Sequence, residues 1–237
     1  MPVEVLDASA LGAVLFVWGV LWWLFAGVFE IERVVAERYE FAATLGFFTL
    51  SALLASVLTQ RAPLPMARWV ACALLPAAGF MALAQLFGSQ HVLADFGWLA
   101  WPAAFAALLY VLRQHVDETP SGLVAVMHSG TFWLFALVSS LELVWLAGRA
   151  THDAQTWTQL AAMVVPCALL AALPVATRRI AWPFAQHTDT YLLPAAAGLA
   201  LWLVFWLLVV NASSDGNAAP LPYYVPLLNP QIGRAHV

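Results

Sequence analysis

Long stretches of this chain are apolar at nearly every position. They lack the polar stripe that a water-facing helix turns outward every 3.6 residues, and the two-residue alternation of a membrane barrel strand. Seven such runs stand between short polar connections: Leu11–Phe29, Phe41–Leu58, Trp69–Phe87, Phe96–Leu112, Thr131–Ala147, Trp157–Ala176 and Leu192–Val210. The fifth can begin as early as Leu123, inside the long connection Arg113–Gly130. A helix needs about 20 predominantly apolar residues to cross a bilayer, and each run meets or approaches that length. The pattern predicts an all-α, polytopic membrane protein with about seven transmembrane helices.

The first run is not a secretory leader, because no basic segment precedes it and it is too long for a leader's apolar core. Trp69, Trp98, Trp101, Trp133, Trp145 and Trp157 fall at or near run ends, where indole rings favour the headgroup layer. Trp18, Trp22, Trp23, Trp202 and Trp206 lie deeper. Pro76, Pro166 and Pro174 lie well inside the third and sixth runs. A proline there leaves a carbonyl one turn back without its donor, so both helices are expected to kink.

Composition agrees with lipid as the solvent. The 237 residues are 63% hydrophobic and 9% charged, against about a quarter charged in soluble domains. The partners this implies are the bilayer itself and further membrane helices. A net charge of -4 gives no nucleic-acid footprint. Lysine is absent, so orientation rests on arginine. With seven crossings, Arg61, Arg68, Arg113, Arg178 and Arg179 share one side with the N-terminus, and Arg33, Arg38 and Arg149 take the other. The majority places the N-terminus in the cytoplasm. The connections are too short to hold a soluble catalytic domain.

Inside the seven runs, apart from Tyr110, Cys72 and Cys167, the one ionisable side chain is Glu142. A carboxylate at the bilayer centre costs about 2.5–3.5 kcal/mol on insertion scales, so it must be protonated, paired or turned to a polar interior. Ser139, one turn back, is a candidate hydrogen-bond partner. Arg149, seven residues on, lies about 10 Å along the axis, beyond direct pairing. The bland alternative is an acid near a helix end that reaches the interface.

A second candidate is the acidic loop "FEIERVVAERYE", with Glu30 and Glu32. Its Glu30–Arg33 and Arg33–Glu37 spacings favour salt-bridged interfacial helix, with an acidic catalytic loop as the sharper alternative. His91, His115, His128, His152 and His187 are scattered without metal spacing and are expected at surfaces or interfaces. The two cysteines make neither a metal motif nor a disulfide framework. No phosphate-binding glycine loop, nucleophile elbow or zincin motif occurs, so no catalytic, cofactor-binding or metal residue is assigned and no cofactor is expected. Ala42 with Gly46, Ser51 with Ala55, and Ala196 with Ala200 have the small-xxx-small spacing that lets helices approach closely.

Four phrases carry a resemblance: "LWWLFAGVFEIERVVAERYEFAATLGFFTLSALL" (21–54), "GWLAWPAAFAALLYVLR" (97–113), "LFALVSSLELVWLAGR" (134–149) and "DGNAAPLPYYVPLLNP" (215–230). The chain resembles the bacterial polytopic membrane proteins grouped as domain of unknown function 2339. The resemblance implies a bacterial inner-membrane location and a longer parent protein, and supplies no catalytic residues. In that family the proline-rich loop precedes another hydrophobic span. Residues 1–230 are thus expected to be an internal, multi-span piece whose missing transmembrane helices are its partners. Residues 231–237, "QIGRAHV", differ from everything upstream. From Ile232 on they are what a common short-read sequencing adapter encodes in one frame before a stop codon, and they are expected to be read-through.

Three functional readings follow. The leading one is a structural or scaffolding membrane component without enzyme activity. The second is a transporter or flippase-like protein that uses Glu142. The third is an intramembrane glycosyl- or acyltransferase that would gather Glu30, Glu32, His91 and His152 at one membrane face.

Overall fold

The computed structural model describes residues 8–62, 64–87, 91–115, 120–152 and 155–213. The proline-rich loop at 215–230 and the tail at 231–237 lie outside them. Every described element is helical, and the chain forms two compact units. The first comprises residues 1–83 and 93–119, the second residues 84–92 and 120–237.

In the first unit, α1 (Ala8–Val34), α3 (Ala67–Cys72) and α5 (Gly97–His115) pack around α2 (Glu37–Arg61), and α4 (Leu74–Gln85, whose last two residues belong to the second unit) follows α3. The core is built from small residues: Ala52, Ala55, Ala71, Ala78, Ala104 and Ala107 are buried, with Leu45, Trp101 and Leu108 as the large fillers. Lipid tails are as apolar as leucine, so helices gain by approaching closely and interlocking, which small side chains allow. α3 and α4 are the third run, broken at Ala73. Pro76 has no N–H for the Cys72 carbonyl, which places the break next to that carbonyl, as the proline requires. α1 touches α2 sparingly: Trp23 Nε1 donates to Ser51 Oγ at 2.9 Å and its ring packs on Phe47.

In the second unit, α6 (Ser121–Thr151) and α7 (Gln155–Arg179) form the main pair. α7 stays one helix through Pro166 and Pro174. The chain then breaks: Ile180 and Trp182 are extended, the Trp182–Pro183 bond is cis, and two π-helical turns, Ala181–Ala185 and Tyr191–Ala195, flank the short α8 (Thr188–Thr190). α9 (Ala196–Ser213) returns along α7. It is fastened by Trp206 Nε1 donating to the Gln159 carbonyl at 2.9 Å and by Gln155 Nε2 donating to the Ser213 carbonyl at 3.1 Å.

Six described helices are long and apolar enough to cross a membrane on their own: Ala10–Val34, Glu37–Arg61, Ala67–Gln85, Ser121–Thr151, Gln155–Arg179 and Thr188–Ser213. The protein is therefore an all-α, multi-pass membrane protein. The fourth run forms α5, whose 19 residues are diluted by Trp98, Trp101, Pro102, Tyr110, Arg113 and Gln114 and fall short of that standard. Its packing nevertheless follows α2. Tyr39 meets Phe96 at one end (5.4 Å between rings), and Gln60 Nε2 donates to Tyr110 Oη at 3.4 Å at the other. α5 thus runs parallel to a spanning helix along most of its length, about 28 Å at 1.5 Å per residue.

One connection differs from expectation and a second follows it. "FEIERVVAERYE" is not a loop: α1 continues through Glu30 and Glu32 to Val34, and α2 starts at Glu37. The Glu30–Arg33 pair forms at 2.7 Å and favours the extra turn, whereas the break at Val35–Ala36 puts Arg33 and Glu37 on different helices. The second half of the Arg113–Gly130 connection is helix, since α6 starts at Ser121 with Pro120 before it.

Candidate functional site

The site lies in the second unit, on α6. α6 has 31 residues, about 46 Å, so it outreaches a hydrocarbon layer of about 30 Å and carries Glu142 nine residues before its end. Glu142 therefore stands about 14 Å inside the helix, deeper than an end at Ala147 would place it.

Its partner is His91. His91 Nε2 lies 3.0 Å from Glu142 Oε1, and the two side chains are 23% and 18% exposed. The His91 ring stands edge-on to the Trp145 indole, 3.8 Å between centroids, and the Arg149 guanidinium covers the same indole at 5.1 Å. Trp145, three residues after Glu142, shares its face of α6. A protonated His91 in this position meets a carboxylate and an aromatic ring, and a neutral one keeps a single hydrogen bond. Glu142 Oε2 is buried and has no hydrogen-bond partner among the described residues. The carboxylate thus has one oxygen held and one without a partner among the described residues.

Ser139 is half-buried, and among the described residues no hydrogen bond joins it to Glu142. Arg149 engages Trp145 rather than Glu142. Glu30 and Glu32 sit in the last turns of α1, in the other unit; both are exposed, and Glu30 Oε2 accepts from Arg33 Nε and Nη2. His152 is exposed in the left-handed conformation that caps α6. Among the described residues no group of three or more His, Cys, Asp or Glu side chains is placed to hold a metal.

A second polar cluster sits fourteen residues earlier on α6. His128 is fully buried, which corrects its expected place at a surface. A hydrogen bond of 3.0 Å joins its Nδ1 to Tyr191 Oη, and its ring lies 4.1 Å from that of His187. Phe132 and Phe184 wedge Tyr191, with ring centroids at 5.7 and 4.5 Å. The broken segment at 180–195 makes this possible, because it folds Phe184, His187 and Tyr191 back onto α6. Neither polar pair is visible in sequence spacing: His91 precedes Glu142 by 51 positions, and Tyr191 follows His128 by 63.

His187 lies between the spans, and burial pushes its imidazole below the ordinary 6.5. The folded state then binds this proton less readily than the unfolded chain. The associated stability is complete above about pH 6.5 and declines as the pH falls through that value. Thermal unfolding in detergent from pH 8 to 5 should show this decline, with a shallower slope in His187→Gln. An equal slope in the variant would remove His187 as its source.

Comparison with known proteins gives one match. Residues 4–232 match a family model described as "Predicted membrane protein (DUF2339)". No curated protein and no solved structure matches the chain.

Proposed function

The chain belongs to the DUF2339 family of predicted membrane proteins, and from that premise we propose that it is a bacterial inner-membrane transport protein in which Glu142, paired with His91, takes up and releases protons. The observation that carries this reading is the 3.0 Å contact between Glu142, on a spanning helix, and His91, in the connection that precedes α5. An ionisable residue at that depth is costly, and where one persists with a titratable partner it marks proton or substrate paths. The free carboxylate oxygen supports the same reading.

The packing of α5 beside α2 supports seven crossings, and the arginine majority then puts the N-terminus in the cytoplasm. With α5 left out of the count, Arg113, Arg149, Arg178 and Arg179 would change sides, and the rule would point the other way. The region is proposed to be one piece of a longer multi-span protein, with residues 231–237 not part of the natural chain.

The test is proton movement by the full-length protein in liposomes under an imposed potassium diffusion potential. Glu142→Gln, which keeps shape and removes the charge, should lower the rate at least tenfold, and Glu142→Asp should recover part of it. Unchanged movement in a folded Glu142→Gln protein would leave the pair as a strut in a scaffolding component.

A further inference from the structure

Two buried titratable groups among the described residues, His128 and Tyr191, take no part in the Glu142 site. His128 has 0% exposure, yet its Nε2 is enclosed with no hydrogen-bond partner among the described residues. A buried ring nitrogen left unbonded is a cost that a structural histidine would not need to carry, since an apolar ring of similar shape would fill the space without it. Its Nδ1 is held by Tyr191 Oη, so the ring cannot simply rotate to satisfy the other nitrogen.

The cluster also has an opening. His187 lies on the His128 ring and is only half-buried, at the chain break between the first π-helical turn and α8. The charged groups on the surrounding elements are Arg178 and Arg179 at the end of α7 and Asp189 in α8, all exposed. Among the described residues, the titratable side chains that touch His128 are His187 and Tyr191.

Position along α6 connects this cluster to Glu142. At 100° per residue, His128, Thr131, Ser139 and Glu142 fall within about 80° of one another around the helix. They span about 21 Å along its axis. Thr131 Oγ1 is buried and also lacks a partner among the described residues. One face of one spanning helix thus carries a histidine, two hydroxyls and a carboxylate, with Phe135 between Thr131 and Ser139 on the same face and polar atoms open at His128, Thr131 and Glu142.

We propose that His128, with Tyr191 and His187, is a second proton-binding site in series with Glu142, and that protons pass between them along the α6 face through Thr131, Ser139 and intervening water. This rests on the transport reading of Glu142 and extends it across the membrane. A proton taken up at His187 moves to the His128 Nε2 lone pair while Nδ1–H donates to Tyr191 Oη. The resulting imidazolium gives up its Nε2 proton to Thr131 Oγ1 through water, and Thr131 releases its own hydroxyl proton onward; the net change is one proton carried, with no bond between heavy atoms made or broken.

The experiment reads proton entry into liposomes holding the full-length protein and the trapped dye pyranine, driven by a valinomycin–potassium potential. His128→Phe keeps an aromatic ring of similar size, and Thr131→Val keeps the shape of threonine without its hydroxyl. Each should lower the initial rate at least tenfold, with the unfolding midpoint of Thr131→Val within a few degrees of the wild type. Should His128→Phe fail to fold, Thr131→Val carries the test alone. A wild-type rate in folded Thr131→Val overturns the path. If Glu142→Gln is slow while both α6 variants are fast, the second site fails and the Glu142 reading stands. A wild-type rate no faster than empty liposomes overturns both.

Discussion

Gly198→Leu is expected to be among the most damaging substitutions in the second unit. A Cβ at Gly198 would fall onto the Trp133 indole, well inside van der Waals contact with its Cε2, Cζ2 and Nε1. The indole cannot swing clear freely, because its Nε1 donates to the Ala195 carbonyl at 2.9 Å. In lipid, trimming a large side chain loses packing alone, since the surrounding tails are equally apolar. A steric clash keeps its full cost. Overpacking takes about 1–3 kcal/mol, sometimes more, and losing the indole hydrogen bond adds about 1 kcal/mol. Gly198→Ala should be milder, because it adds the Cβ alone, without leucine's further carbons, and recovers about 1 kcal/mol of helix propensity. Unfolding midpoints in detergent should fall in the order wild type, alanine, leucine. Restoration by Trp133→Ala in the leucine background would identify the clash as the cause. A leucine variant as stable as the wild type would contradict the contact.

The second large effect concerns His91. Replacing it with Phe leaves the Glu142 carboxylate inside α6 without its partner. Removing one member of a buried pair costs about 3–5 kcal/mol. The pair is only partly enclosed, at 23% and 18% exposure, which brings the expected cost nearer to about 2 kcal/mol. The double variant His91→Phe/Glu142→Gln removes the stranded charge as well, and should be more stable than His91→Phe alone. That non-additivity is the signature of direct coupling. Additive losses would mean that the two side chains do not depend on each other.

The membrane architecture was legible in the sequence because lipid imposes a simple demand. Spanning segments must be helical and apolar on all sides, so unbroken apolar runs report them directly. Helix lengths were less legible. The runs stop where the apolar pattern ends, but Glu, Arg and Thr continue a helix well past the hydrocarbon, so α1 extends through Glu30–Val34 and α6 to Thr151. Glu142 stood out because a lone carboxylate among apolar residues is rare. Its partner did not, since His91 sits in a short connection whose fold no local pattern encodes. His128 was misplaced for a related reason. A single histidine in an apolar helix gives no sign of burial until the break at 180–195 brings Tyr191 and His187 onto it. The cue within reach was the helix-disrupting "WPFAQHTDTYLLPA" segment, where prolines interrupt a run and free the chain to fold back.

The account turns on Glu142 exchanging a proton within the membrane. Infrared difference spectra of the full-length protein in lipid, recorded on acidification, test this most directly. A protonated-carboxyl band should appear in the pH interval where proton movement changes, and should be missing from Glu142→Gln. A band unchanged in Glu142→Gln, or no band while proton movement changes with pH, would contradict it.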